Sequence, residues 1–72
     1  MGTFQLIYDC DTDRYYLDDE ALHCGDTLQV LIHNGLTGEN EWIDTRIEKD
    51  AQGEWILYGL IGYRIEGLFA RR

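Results

Sequence analysis

Apolar residues that alternate with a period of two, and glycines that fall between those runs, predict an all-β chain. No window longer than one turn shows a 3.6-residue period, which leaves a helix-rich alternative little support. Five or six short strands at nearly even spacing point to a small antiparallel barrel. Closure is expected on energetic grounds, because an open sheet of this size would leave two edges and one apolar face in water. With 72 residues, no proline and no low-complexity tract, residues 1–72 read as a single domain with no internal linker.

The elements follow in order. Thr3 to Asp9 alternates, with Phe4, Leu6 and Tyr8 on one face. Arg14-Tyr15-Tyr16-Leu17 returns after a short polar turn, so the two runs predict a hairpin. Asp18 to Ala21 has the makings of one helical turn capped by Asp18. Gly25-Asp26 opens a strand over Thr27 to Ile32, with Leu28, Val30 and Ile32 sharing a face. Residues 33–40 carry an Asn-Gly signal and a second glycine, which is loop chemistry. Glu41 to Lys49 places Trp42, Asp44, Arg46 and Glu48 on one face and Ile43, Thr45 and Ile47 on the other. Asp50-Ala51-Gln52-Gly53 reads as a type I turn, Asp in front and Gly behind at positive φ. Glu54 to Gly59 returns as a strand, and after a turn at Gly62 a last strand runs from Tyr63 to Arg71. Phe4, Leu6, Tyr8, Leu28, Val30, Ile32, Ile43, Ile47, Leu57 and Ile65 are the expected core.

Several of these segments, in this order, resemble a known family. They are Tyr8-Asp9, Thr12-Asp13-Arg14-Tyr15, Leu22-His23-Cys24-Gly25-Asp26-Thr27-Leu28, Trp42-Ile43-Asp44-Thr45-Arg46-Ile47-Glu48, Trp55-Ile56-Leu57-Tyr58-Gly59-Leu60 and Glu66-Gly67-Leu68. The family is an uncharacterised domain of unknown function from Firmicutes, often encoded on conjugative or other mobile elements. The resemblance implies a bacterial origin and a small barrel similar to SH3-like folds, and it carries over no catalytic residue.

Composition excludes several function classes. Fourteen acids against six bases give a net charge of −8. Thirteen of the acids stand in residues 1–54 with only Arg14, Arg46 and Lys49, while Arg64, Arg71 and Arg72 gather at the C-terminal end. Binding nucleic acid through that end would lack the basic groove that phosphates require, so nucleic acid does not suit this surface. No stretch is long and apolar enough to span a membrane, and the first residues show neither a signal peptide nor a myristoylation pattern. The expectation is a cytoplasmic protein. Two cysteines, Cys10 and Cys24, are too few for a disulfide framework.

Asp9, Asp11, Asp13 and Glu20 have the 1, 3, 5 and 12 spacing of a calcium-binding loop. Arg14 stands where that loop needs glycine, and the flanking segment is a strand, so solvated turn aspartates explain the pattern and only weak calcium binding is left open. Cys10, His23, Cys24 and His33 lack the paired spacing of a zinc site, and a buried Cys24 beside a surface His23 is expected. There is no serine for a triad and no glycine-rich phosphate loop. An enzyme is not expected, nor is a cofactor.

Trp42, Trp55, Tyr15, Tyr16, Tyr58, Tyr63 and Phe69 are more rings than one small barrel can hide along with its aliphatic residues. Trp42 shares its strand face with charged residues, which makes it the expected exposed anchor of a protein-interaction surface, with Asp44 and Glu48 as rim charges and Tyr58 and Tyr63 as neighbours. The bland alternative is that Trp42 and Trp55 cap the open ends of the barrel. The partner would be an unidentified protein, or a second copy paired through an edge strand. A rival reading is an acidic nucleic-acid mimic that occupies a DNA-binding protein, supported by the Asp9–Glu20 stretch.

Overall fold

The computed structural model describes residues 2–60 and 62–72. Within them the chain is all-β with no helix, in two antiparallel sheets. The strands are β1 (Phe4–Gln5), β2 (Ile7–Asp9), β3 (Arg14–Leu17), β4 (Glu20–Ala21), β5 (Thr27–Asn34), β6 (Glu39–Lys49), β7 (Trp55–Leu57) and β8 (Phe69–Arg71). One sheet has the order β1-β8-β5-β6-β7 and the other β2-β3-β4. The expected barrel does not close: β1 and β7 end one sheet, β2 and β4 the other.

The central hairpin of β5 and β6 pairs Thr27 with Arg46 through Asn34 with Glu39. Its alternation is the one read from the sequence. Leu28, Val30 and Ile32 of β5 and Thr45 and Ile47 of β6 are buried on one side, and Asp44 and Arg46 are exposed on the other. Beyond the hairpin tip, the Leu36 amide bonds Asn34 Oδ1 and the Gly38 amide bonds the Asn34 carbonyl. The Asp50 turn also forms as expected. Its carboxylate accepts the Gln52 and Glu54 amides at 2.9 Å, and Gly53 adopts φ 78°.

The opening segment departs from a single strand. Leu6 is fully buried, and both Gly67 and Leu68 bond to it: the Leu6 amide reaches the Leu68 carbonyl and the Gly67 amide reaches the Leu6 carbonyl, each at 2.8 Å. Two residues facing one, with Gly67 at φ 89°, make a β-bulge. The chain therefore crosses from β8 on one side to β3 on the other, and the run divides into β1 and β2. Phe4 leaves the core as a result and is 39% exposed, while Tyr8 is half-buried.

Two further segments differ. Asp18 and Asp19 do not begin a helical turn. Both have positive φ, 51° and 64°, and Leu17 pairs with Glu20 across them. This is the two-residue turn whose twist suits a hairpin, and aspartate tolerates that backbone region. The last strand shortens to β8 because Gly62 and Gly67 turn the chain, with the Leu68 amide bonded to the Ile65 carbonyl. The return strand likewise stops at Leu57, where the Leu60 amide turns back to the Leu57 carbonyl.

One core joins the two sheets. Leu6, Leu17, Leu22, Leu28, Val30, Ile32, Ile47, Leu57, Ile65 and Ala70 form a single buried cluster, with Ile43 packed partly against it. Leu17, Leu22 and Ala70 lie outside the expected core; Leu17 and Ala70 stand on short strands whose inward face only the sheet pairing defines, and Leu22 follows β4 with its amide bonded to the Tyr15 carbonyl. Among the described residues, no helix is long and apolar enough to cross a membrane.

Candidate functional site: the outer face of the larger sheet

The outward side of β6 carries Trp42, Asp44, Arg46 and Glu48. Trp42 is half-buried because the Arg71 guanidinium, arriving from β8, lies 4.0 Å above its ring. The Arg71 Nε donates to Gln29 Oε1 at 2.8 Å, and the Gln29 Nε2 donates to Asp44 Oδ1 at 2.8 Å. Side chains from β8, β5 and β6 thus form one chain of contacts from Trp42 to Asp44. Arg71, read from the sequence only as part of a basic end, proves to be the residue that covers Trp42; the signal would have been its register opposite Gln29, which a linear sequence does not display.

A second guanidinium repeats the arrangement. Arg46 stacks 4.0 Å from the Tyr58 ring and donates to Glu48 Oε2 at 2.8 Å. Tyr58 is 59% exposed. Its carbonyl accepts the hydroxyl of buried Thr45 at 2.7 Å, which fixes the chain just beyond β7. Trp42, Asp44, Glu48 and Tyr58 thus belong to this face. Tyr63 is exposed but stands on the turn after Leu60, and among the described residues no ring stacking or hydrogen bond links it to Trp42.

Trp55 lies elsewhere. Its indole N–H donates to the Asp13 carbonyl at 3.0 Å, and the Lys49 ammonium sits 4.8 Å from its ring. Lys49 also pairs with Asp13 Oδ2 at 2.7 Å, and the Tyr8 hydroxyl donates to Asp13 Oδ1 at 2.6 Å. This knot ties the β2–β3 turn to the β6–β7 end of the larger sheet. The Lys49 ammonium, then the Tyr8 hydroxyl, hold the Asp13 carboxyl below its usual range. The bond to Asp13 pushes the Tyr8 phenol up to about 12. Tyr15, stacked near Tyr8, is raised mainly by burial and then by Glu66.

The calcium-like spacing does not become a cluster. Asp9 Oδ1 accepts the Asp11 amide, Asp13 is held by Lys49 and Tyr8, and Glu20 pairs with Arg72 at 2.6 Å. Among the described residues no three His, Cys, Asp or Glu side chains are grouped to hold a metal ion. Cys24 is exposed, not buried, because it stands inside the turn closed by the Asp26 amide on the His23 carbonyl, and Cys10 is also a free exposed thiol.

The family model for a domain of unknown function, DUF5348, matches residues 4–71. The chain belongs to the DUF5348 family. A crystal structure of a Ruminococcus gnavus protein is similar, with 32% identity, a TM-score of 0.73, and coverage of 99% of this chain and 100% of that one. No curated protein matches. A DUF5348 domain with this identity to a solved chain shares its fold as well as its sequence order, but the family assigns no activity.

Proposed function

We propose that this DUF5348 domain is a non-enzymatic, cytoplasmic protein-interaction module that works through the outer face of its larger sheet. The family resemblance adds a mobile element as its setting. The observation that carries the reading is the pair of rings held outside the core, Trp42 under Arg71 and Tyr58 under Arg46, each at 4.0 Å. A ring fixed in place by a stacked guanidinium loses little freedom when a partner covers it, and rigid aromatics are what interface centres favour. Asp44 and Glu48 supply the polar rim.

Paired capture from nuclease-treated lysate of the native host tests it, with the wild type and Trp42→Ala as baits and circular dichroism as the check on folding. A protein retained by the wild type and lost with the folded Trp42→Ala variant is the expected result. Equal recovery by both baits, or no specific recovery, would overturn the assignment of the Trp42 face.

A further inference from the structure

The bulge at Leu6 has left a second surface. Beside β1 and β2 runs an open groove of about 750 Å³, with Phe4, Ile7 and Tyr16 as its apolar lining and Asp9, Asp18 and Asp19 along its rim. Ile7 stands directly opposite Tyr16 and is 61% exposed, and Phe4 beside it in the groove is 39% exposed, so the two make a contiguous apolar lining and not a lone surface residue. The acids around it carry charge that, among the described residues, no neighbouring base offsets, as do most acids of this chain of net charge −8. Asp13, Glu20, Asp26 and Glu48 each face a basic side chain, whereas Asp9, Asp18 and Asp19 have no ion pair among the described residues.

The backbone adds a third feature. β1 is the last strand of its sheet, with β8 on one side only. Leu6 directs both its amide and its carbonyl toward the β8 side, and backbone groups alternate along a strand, so those of Gln5 point out from the free edge. Closure of the barrel would have covered that edge; here the β3–β4 hairpin turns away at Asp18-Asp19 instead.

We infer that this groove takes an extended segment of a partner protein in which basic and apolar residues alternate, added as a strand beside β1. Strand addition supplies main-chain hydrogen bonds, and alternate side chains then meet the two features present: aliphatic ones the Ile7–Tyr16 patch, basic ones the uncompensated carboxylates. A second copy of this chain fits less well, because two grooves brought edge to edge would oppose like charges. The groove lies on different strands from the Trp42 face, and the inference does not depend on that surface.

The probe is the synthetic peptide acetyl-KVKVKVK-amide, titrated into isotopically labelled full chain and followed by amide chemical shifts. Saturable shifts concentrated at Thr3–Ile7 and Asp18–Asp19, weakening as salt rises, are expected. Asp18→Asn with Asp19→Asn keeps residues that tolerate positive φ while removing the charge, and should weaken binding by about three- to tenfold. Ile7→Ala should weaken it too, and Trp42→Ala should leave it unchanged. The same peptide N-methylated at alternate residues should bind far less, because it cannot complete the ladder.

Equal binding of the acidic counterpart EVEVEVE, or undiminished binding of the N-methylated peptide, would overturn the inference. So would shifts confined to the Trp42 face, or the absence of saturable shifts. Concentration-dependent shifts at Thr3–Ile7 without peptide would assign the edge to a second copy and overturn it as well.

Discussion

Asp13 links the two sheets through its carboxylate, which pairs with Lys49, and its main-chain carbonyl, which accepts the Trp55 indole N–H, while Tyr8 holds the other carboxylate oxygen. Both titration shifts there favour the folded state, in opposite directions of pH. The Tyr8 phenol is raised from 10.0 to about 12, so its contribution is complete below pH 10 and is lost as pH climbs from 10 toward 12. Asp13 is lowered from 3.8, so its contribution is present above that value and is lost as pH falls below it. Stability should therefore be flat through neutral pH and fall at both ends. Spectrophotometric titration of the tyrosines should show a late component near 12 that Tyr8→Phe deletes. Asp13→Asn should bring that component back toward 10 while leaving Tyr15 raised, because burial is the main cause at Tyr15. Survival of the late component in Tyr8→Phe would place it on another ring.

Elements that carry their own turn chemistry were legible from the sequence, and elements set by distant partners were not. The bodies of β5 and β6 and the Asp50–Gly53 turn follow from alternation and an Asp-to-Gly pattern, and β3 has the bounds read from its residues. But β5 and β6 pair two residues further, His33 with Asn40 and Asn34 with Glu39, into the segment whose glycines read as loop. Trp42 was assigned its outward face by the same alternation, but its cover, Arg71, lies 29 positions on and meets it only through the pairing of β5 with β8. The division of the first run at Leu6 and the turn at Asp18-Asp19 are hidden from a linear reading for related reasons. A bulge depends on Gly67 at the far end of the chain, and Asp-Asp is an uncommon choice where Asn-Gly is the usual signal. That turn makes its own prediction. A β-branched residue at positive φ is strained, so Asp19→Val should lower unfolding stability by roughly 1–3 kcal/mol. Asp19→Gly, free of that strain, should cost little or raise it. Urea midpoints of the three proteins decide the matter; equal loss in both variants would mean that the aspartate side chain, and not its backbone, matters there.

A molecule of this size has a thin margin, roughly 4–11 kcal/mol at the usual stability per residue, and cannot spend it on two separate cores. Its solution is one cluster fed by both sheets: Leu17 and Leu22 come from the smaller sheet and the loop after it, Leu28, Val30, Ile47, Leu57 and Ala70 from the larger, and Leu6 from the crossing point. The open barrel is tolerable because that crossing replaces the missing strand pairing with buried aliphatic contact. If so, the sheets have no independent stability, and damage at Leu6 must reach both. Leu6→Ala should cost about 2–5 kcal/mol, a large share of the total. The amides of Tyr15 in the smaller sheet and Val30 in the larger, followed across a urea series, should share one midpoint in the wild type and move together in the variant. Leu36→Ala is the matched control, since that side chain is 98% exposed at the hairpin tip and its loss should change stability by no more than about 0.5 kcal/mol. Separate midpoints for Tyr15 and Val30 would show two units joined by polar contacts such as those of Asp13 and the Glu20–Arg72 pair, and not by a shared core.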